Sequence, residues 1–164
     1  GDPVYSFIRK FIGAINTHDS STMNHWVEST MPESRSDLLL QIDIEGSEYE
    51  TFLQMSDVLL RRFRIIAAEF HTLDQLWSKP FFGIASRAFR KILQSHACVH
   101  IHPNNCTVPV NREGLSIPPV MEFTFLRLDR LAGDEHAREF PHPLDAANDD
   151  GVDLALPPCW YRQD

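Results

Sequence analysis

The sequence predicts an α/β fold: a mostly parallel sheet with flanking helices and a C-terminal antiparallel hairpin. Two runs of strand length, residues 38–44 (LLLQIDI) and 64–70 (RIIAAEF), are nearly continuous in apolar residues, as in strands covered on both faces. Helical patterns alternate with them, the order that builds parallel sheets. Between the last two strand-like segments, residues 97–102 and 119–127, lies a stretch without helical periodicity, so these two form a hairpin with a long loop.

The elements follow in order. Residues 3–15 place Val4, Phe7, Ile8, Phe11, Ile12 and Ile15 three and four apart, predicting an amphipathic helix opened by Pro3. A second helix starts at Ser20 or Ser21, either of which can cap it, and runs through Met23 and Trp26 to about Ser29. After the first strand and Gly46, residues 47–62 read as one helix with Tyr49, Phe52, Leu53, Leu59 and Leu60 inward. Residues 80–95 form another, with Phe81, Ile84, Phe89, Ile92 and Leu93 as its apolar positions.

The chain has 164 residues and a net charge of −8, which argues against nonspecific nucleic-acid binding, where a basic face is expected. Nine acids against three bases fall in residues 129–164, together with Pro141, Pro143, Pro157 and Pro158. The expected organisation is therefore an α/β domain over residues 1–128, with N-terminal helices in 3–29 and a core in 37–127, followed by an acidic tail that either wraps the surface as coil or is partly mobile. No apolar run is long enough to span a membrane and no secretory leader is recognisable, so the expectation is a soluble, cytoplasmic protein. The three cysteines, Cys98, Cys106 and Cys159, have no CxxC spacing and suit a reducing compartment. Cys98, inside a strand-like run, reads as a small buried hydrophobe.

In open α/β sheets the ligand crevice lies at the carboxyl ends of the strands. That rule singles out Asp43, Glu45, Glu69, His71, His102, Asn104 and Asn105. Asp43 and Glu45 stand two apart, so their side chains share a direction while the chain is extended, and Gly46 permits a tight turn. Paired carboxylates there can bind a cation, receive a substrate proton or hold a ligand's amine or hydroxyls. Glu45 and Glu48 equally suit the positive end of the next helix. Asn104 and Asn105 suit either loop geometry or amide hydrogen bonds to a polar substrate. Glu122, a carboxylate in an apolar strand, needs a partner or a place in the crevice. The histidines and carboxylates would also be compatible with a metal-dependent hydrolase, but no residue is assigned to a metal. No phosphate-binding loop, nucleophile elbow or GxGxxG motif is present.

LLLQIDIEGSEYETF, RIIAAEFH, CVHIHPNN and IPPVMEFTFLR, in this order and spacing, resemble the C-terminal half of FkbM-type methyltransferases, a branch of the class I S-adenosylmethionine-dependent enzymes. The similarity covers residues 37–127. It implies a partial class I methyltransferase (Rossmann-like) fold, in which residues 38–44 are the fourth strand, residues 64–70 the fifth and the last two strands the terminal hairpin. It implies methyl transfer from S-adenosylmethionine to a hydroxyl oxygen of a sugar or other small-molecule acceptor, with Asp43 or His71 as the base. Glu45, Glu69, His102, Asn104, Asn105 and Glu122 would then line the crevice. The family's glycine-rich cofactor turn has no counterpart here. The expectation is a truncated enzyme that binds the cofactor poorly by itself, or an interaction domain that has lost it. The first strand of that fold lies beside the fourth, so its absence would expose the edge of LLLQIDI and favour a homo-oligomer.

Overall fold

The computed structural model describes residues 5–32, 36–133 and 140–161. In chain order the elements are β1 (Phe11–Ile12), β2 (Ser20–Ser21), α1 (Met23–Thr30), β3 (Leu38–Ile42), α2 (Glu48–Gln54), α3 (Asp57–Leu60), β4 (Phe63–Phe70), α4 (Lys79–Leu93), β5 (His96–Pro103), β6 (Val110–Arg112), β7 (Leu115–Ile117) and β8 (Met121–Arg127). The fold is mixed α/β, around a four-stranded sheet ordered β3-β4-β8-β5. No helix among the described residues is long and apolar enough to cross a membrane.

The sheet is mixed rather than mostly parallel. Only β3 and β4 pair in parallel, whereas β8 lies antiparallel to both β4 and β5 and separates β5 from the strands whose direction it shares. The hairpin of β5 and β8 was legible, but its placement was not. The returning strand inserts between β4 and β5 and so reverses direction against both neighbours. The long connection carries its own small hairpin, β6 with β7.

One face of the sheet holds the core. Leu40, Ile42, Ile66, Ala68, Phe70, Met121, Phe123 and Phe125 pack against Tyr49, Phe52, Ala85, Ala88 and Ile92 of the helices. Phe70 is its centre, its ring 4.6 Å from Phe89, 5.2 Å from Tyr49 and 5.7 Å from Phe52 between centroids. Such rings supply large apolar area with preferred tilted or offset contacts. Ala85 and Ala88 on α4 are completely buried, and their small side chains permit close approach to the sheet.

Three expectations fail locally. The helix expected over 3–15 does not form: of its described residues, Phe11–Ile12 is a short strand parallel to Ser20–Ser21, while Pro3 and Val4 lie outside the described residues. Phe7, Phe11 and Ile15 are exposed, and a helix this short is marginal in water unless its apolar face is covered. The helix expected over 47–62 is broken. Ser56 caps α3 by accepting from Leu59 N, and its own amide donates to Asn24 Oδ1 at 2.9 Å, so a contact from α1 fixes the break. The Lys91 ammonium donates to the carbonyls of Leu53 and Met55, where α2 ends. Cys98 is exposed rather than buried, beside the irregularity in β5 between Cys98 and His100. The other early helix begins slightly later than expected, at Met23, with Thr22 as the cap that accepts from His25 N.

The described part of the tail lies across the second face of the sheet. His100 Nε2 is 2.8 Å from Asp145 Oδ1, and the Asn148 amide donates to Glu122 Oε1 at 2.7 Å. Asn105 and Asp149 exchange two hydrogen bonds, Leu156 is buried, and the Trp160 indole donates to the Ser116 carbonyl.

Candidate functional site

The turns that follow β3 and β4 meet at one end of the sheet. Both are conformationally costly. Glu45 and Thr72 hold left-handed backbone at φ 55° and 62°, and Gly46 stands at φ 107°. Left-handed backbone costs a non-glycine residue roughly 1–2 kcal/mol, so the surroundings must enforce it. Glu48 does so for the first turn. Its side chain is fully buried, and Oε1 accepts from the amides of Ile44 and Gly46, each at 3.1 Å.

The same oxygen meets His71 Nδ1 at 3.1 Å. A carboxylate oxygen only accepts, so Nδ1 carries the hydrogen, and in the neutral imidazole Nε2 is then the nitrogen with the lone pair. Tyr49 fixes the other side of the loop by donating its hydroxyl to the His71 carbonyl at 2.7 Å. Nε2 then faces Glu45 Oε2 at 3.5 Å and Asp43 Oδ1 at 3.8 Å. Asp43 is half-exposed and Glu45 largely exposed, whereas only 16% of the His71 side chain meets solvent. The cluster thus opens to solvent on its carboxylate side.

Beside it, Asp43 and Glu69 border a depression of about 330 Å³ over the second face of the sheet, with Gln41, Glu122, Thr124 and Asn148. Burial pushes the Glu69 carboxyl above its ordinary range, and the neighbouring Asp43 charge adds to the rise. The Asn104 amide opposes it by donating to Glu69 Oε1 at 2.7 Å.

Comparison with family models, with curated proteins and with solved structures yields no significant match. The chemistry of the site therefore rests on its geometry.

The residues singled out from sequence divide into two groups. Asp43, Glu45, Glu69 and His71 gather at the ends of β3 and β4, with Asn104 attached through Glu69. His102, Asn105 and Glu122 face the tail: His102 Nε2 is 3.5 Å from Asp153 Oδ1, and Asn105 and Glu122 bond to Asp149 and Asn148. Glu122 has the partner that a strand carboxylate requires, and Asn105 serves loop-to-tail geometry. Register nonetheless places Glu69, Glu122 and His102 in one cross-strand row, so the two groups are continuous.

Glu48 was missed as a site residue. The sequence suggests only a favourable charge at a helix start, and nothing local says that its carboxylate turns inward to hold a histidine 23 positions later. The EGSE spacing, an acid two residues beyond a glycine, was the available signal.

Proposed function

We propose that this chain supplies the acceptor side of a methyltransferase crevice, where the hydroxyl of a small molecule or sugar is positioned and deprotonated for methylation by S-adenosylmethionine. The observation that carries the reading is the Glu48–His71 pair. A buried carboxylate holds Nδ1 and turns the lone pair of Nε2 toward the open end of the cluster, the arrangement of a general base held in one tautomer. Asp43 and Glu45 lie close enough to favour the imidazolium that forms when Nε2 takes the proton. The sequence resemblance over residues 37–127 supports the choice of reaction. So do the parallel pair β3–β4, whose ends carry the cluster, and the antiparallel terminal pair β5–β8.

Bound S-adenosylmethionine would supply an electrophilic methyl group. No glycine-rich turn that could cradle it occurs among the described residues: Gly13, in a bend after β1, has only Glu50 Oε1 near its missing side chain, at 3.8 Å. The donor half does not fit this chain, so the role assigned here is confined to the acceptor and its proton. The same observation favours a second reading, an interaction domain that kept the core and not the cofactor.

Calorimetry with S-adenosylmethionine, paired with transfer of a labelled methyl group to a panel of hydroxylated acceptors, separates the two. The methyltransferase reading expects labelled product that His71→Ala abolishes. Absence of both heat and product overturns it in favour of the interaction domain.

A further inference from the structure

We infer that Asp43, Glu48 and His71, with Glu45 alongside, form a binding site for a divalent first-row transition cation of the manganese or zinc type. One ligand atom from each of the three residues lies within 4.8 Å of the others.

Two independent features make this more than a cluster of acids. With Nδ1 donating to Glu48, the neutral imidazole of His71 offers Nε2 as its electron-pair donor, and Nε2 lies 3.8 Å from the Asp43 carboxylate and 3.5 Å from that of Glu45. A shared positive charge, a proton on Nε2 or a bound cation, relieves the repulsion among these groups, and the cation does so with the imidazole neutral. The second feature is Glu48 Oε2, which is fully buried and has no hydrogen-bond partner. A buried carboxylate oxygen without a donor is costly, and a cation would satisfy it.

The distances suit the assignment. Two ligands held at about 2.1 Å from one ion stand roughly 3.0–3.4 Å apart in octahedral or tetrahedral geometry. The observed 3.8 and 3.5 Å require only a small inward turn of the Asp43 and Glu45 side chains, which are half and largely exposed. One imidazole with carboxylates and no thiolate selects manganese or zinc over copper(I) or an iron–sulfur cluster, and the imidazole disfavours calcium and magnesium.

The inference goes beyond the acceptor-side role and does not require it. Cation and proton compete for Nε2, so a site holding the ion would activate a hydroxyl by lowering the pKa of the oxygen bound to the metal, and not through His71 as a base.

The test is calorimetric titration of the full chain with manganese chloride and with zinc chloride, in the absence of S-adenosylmethionine, so that its outcome is independent of methyl transfer. The expected result is one ion per chain, with affinity reduced tenfold or more by Asp43→Asn and by His71→Ala. Glu113→Gln, in the turn between β6 and β7, and His100→Ala, under the tail, leave it unchanged. Asp43 is half-exposed, so its variant remains informative if His71→Ala fails to fold. No saturable binding of either ion below millimolar concentration overturns the inference, as does binding that Asp43→Asn leaves intact.

Discussion

Glu48 Oε1 and His71 Nδ1 are 3.1 Å apart, and the glutamate that makes this contact has no solvent-exposed surface. One oxygen therefore serves three donors, two amides of the turn after β3 and the imidazole after β4, and couples the two turns at the sheet end.

Removing that oxygen leaves the amides of Ile44 and Gly46 without their acceptor. Glu48→Ala is expected to destabilise the fold by about 3 kcal/mol, since each buried donor left unpaired costs on the order of 1–3 kcal/mol. Urea denaturation measures it, and a loss below about 1 kcal/mol would mean that the turn is held by other contacts.

The left-handed backbone of Glu45 predicts a trade of stability against function. Glu45→Gly relieves a cost of roughly 1–2 kcal/mol and adds chain entropy to the unfolded state, for an expected net gain of about 0.5–1 kcal/mol. The same change removes a carboxylate from the cluster. Thermal melts should rise by a few degrees while manganese affinity falls.

Glu69 sets a pH dependence of definite sign. Its carboxyl is raised by burial and by Asp43, so the folded state holds the proton more tightly than the unfolded chain. Stability attributable to this group is highest below the ordinary value of 4.5 and declines as pH rises through the raised one. Glu69→Gln should remove that segment of the profile. A wild-type minus variant difference in melting temperature that stays flat across the window would contradict the assignment.

Leu156 anchors the described tail at 6% exposure. Truncation to alanine is expected to cost about 2 kcal/mol, at the low end for a buried leucine because the site lies at the periphery of the core. Limited proteolysis should then cut within residues 140–161 sooner than in the parent chain; equal rates would show that Asn105, Glu122 and Trp160 hold the tail by themselves.

β3 forms one edge of the sheet, and Leu39 on it is 66% exposed. An apolar edge with unpaired backbone groups recruits a further strand, so self-association through β3 is expected. Light scattering should find a dimer or larger species at micromolar concentration. A stable monomer would show that the edge is tolerated alone.

Elements whose signal is local were legible. β4, α4 and β8 appear within about two residues of their expected limits, because their apolar runs or periodicity depend on the segment alone. The reading failed where another part of the chain intervened. Asn24 breaks the helix expected over 47–62 at Ser56, and residues 5–15 lack a covering partner for a helical face. Within the site, Asp43, Glu45, Glu69 and His71 were found by the strand-end rule, whereas Glu48 and the tail's hold on His102, Asn105 and Glu122 were not.

The amino-acid sequence alone therefore determines the α/β class, the principal strands and the end of the sheet at which polar residues collect, since these follow from patterns a few residues long. The insertion of β8 between β4 and β5, the inward turn of Glu48 and its grip on His71 were decided only by tertiary structure. The β4–β8 pairing and the Glu48–His71 contact each join positions more than twenty residues apart, and the burial that makes the latter strong exists only after the chain has closed.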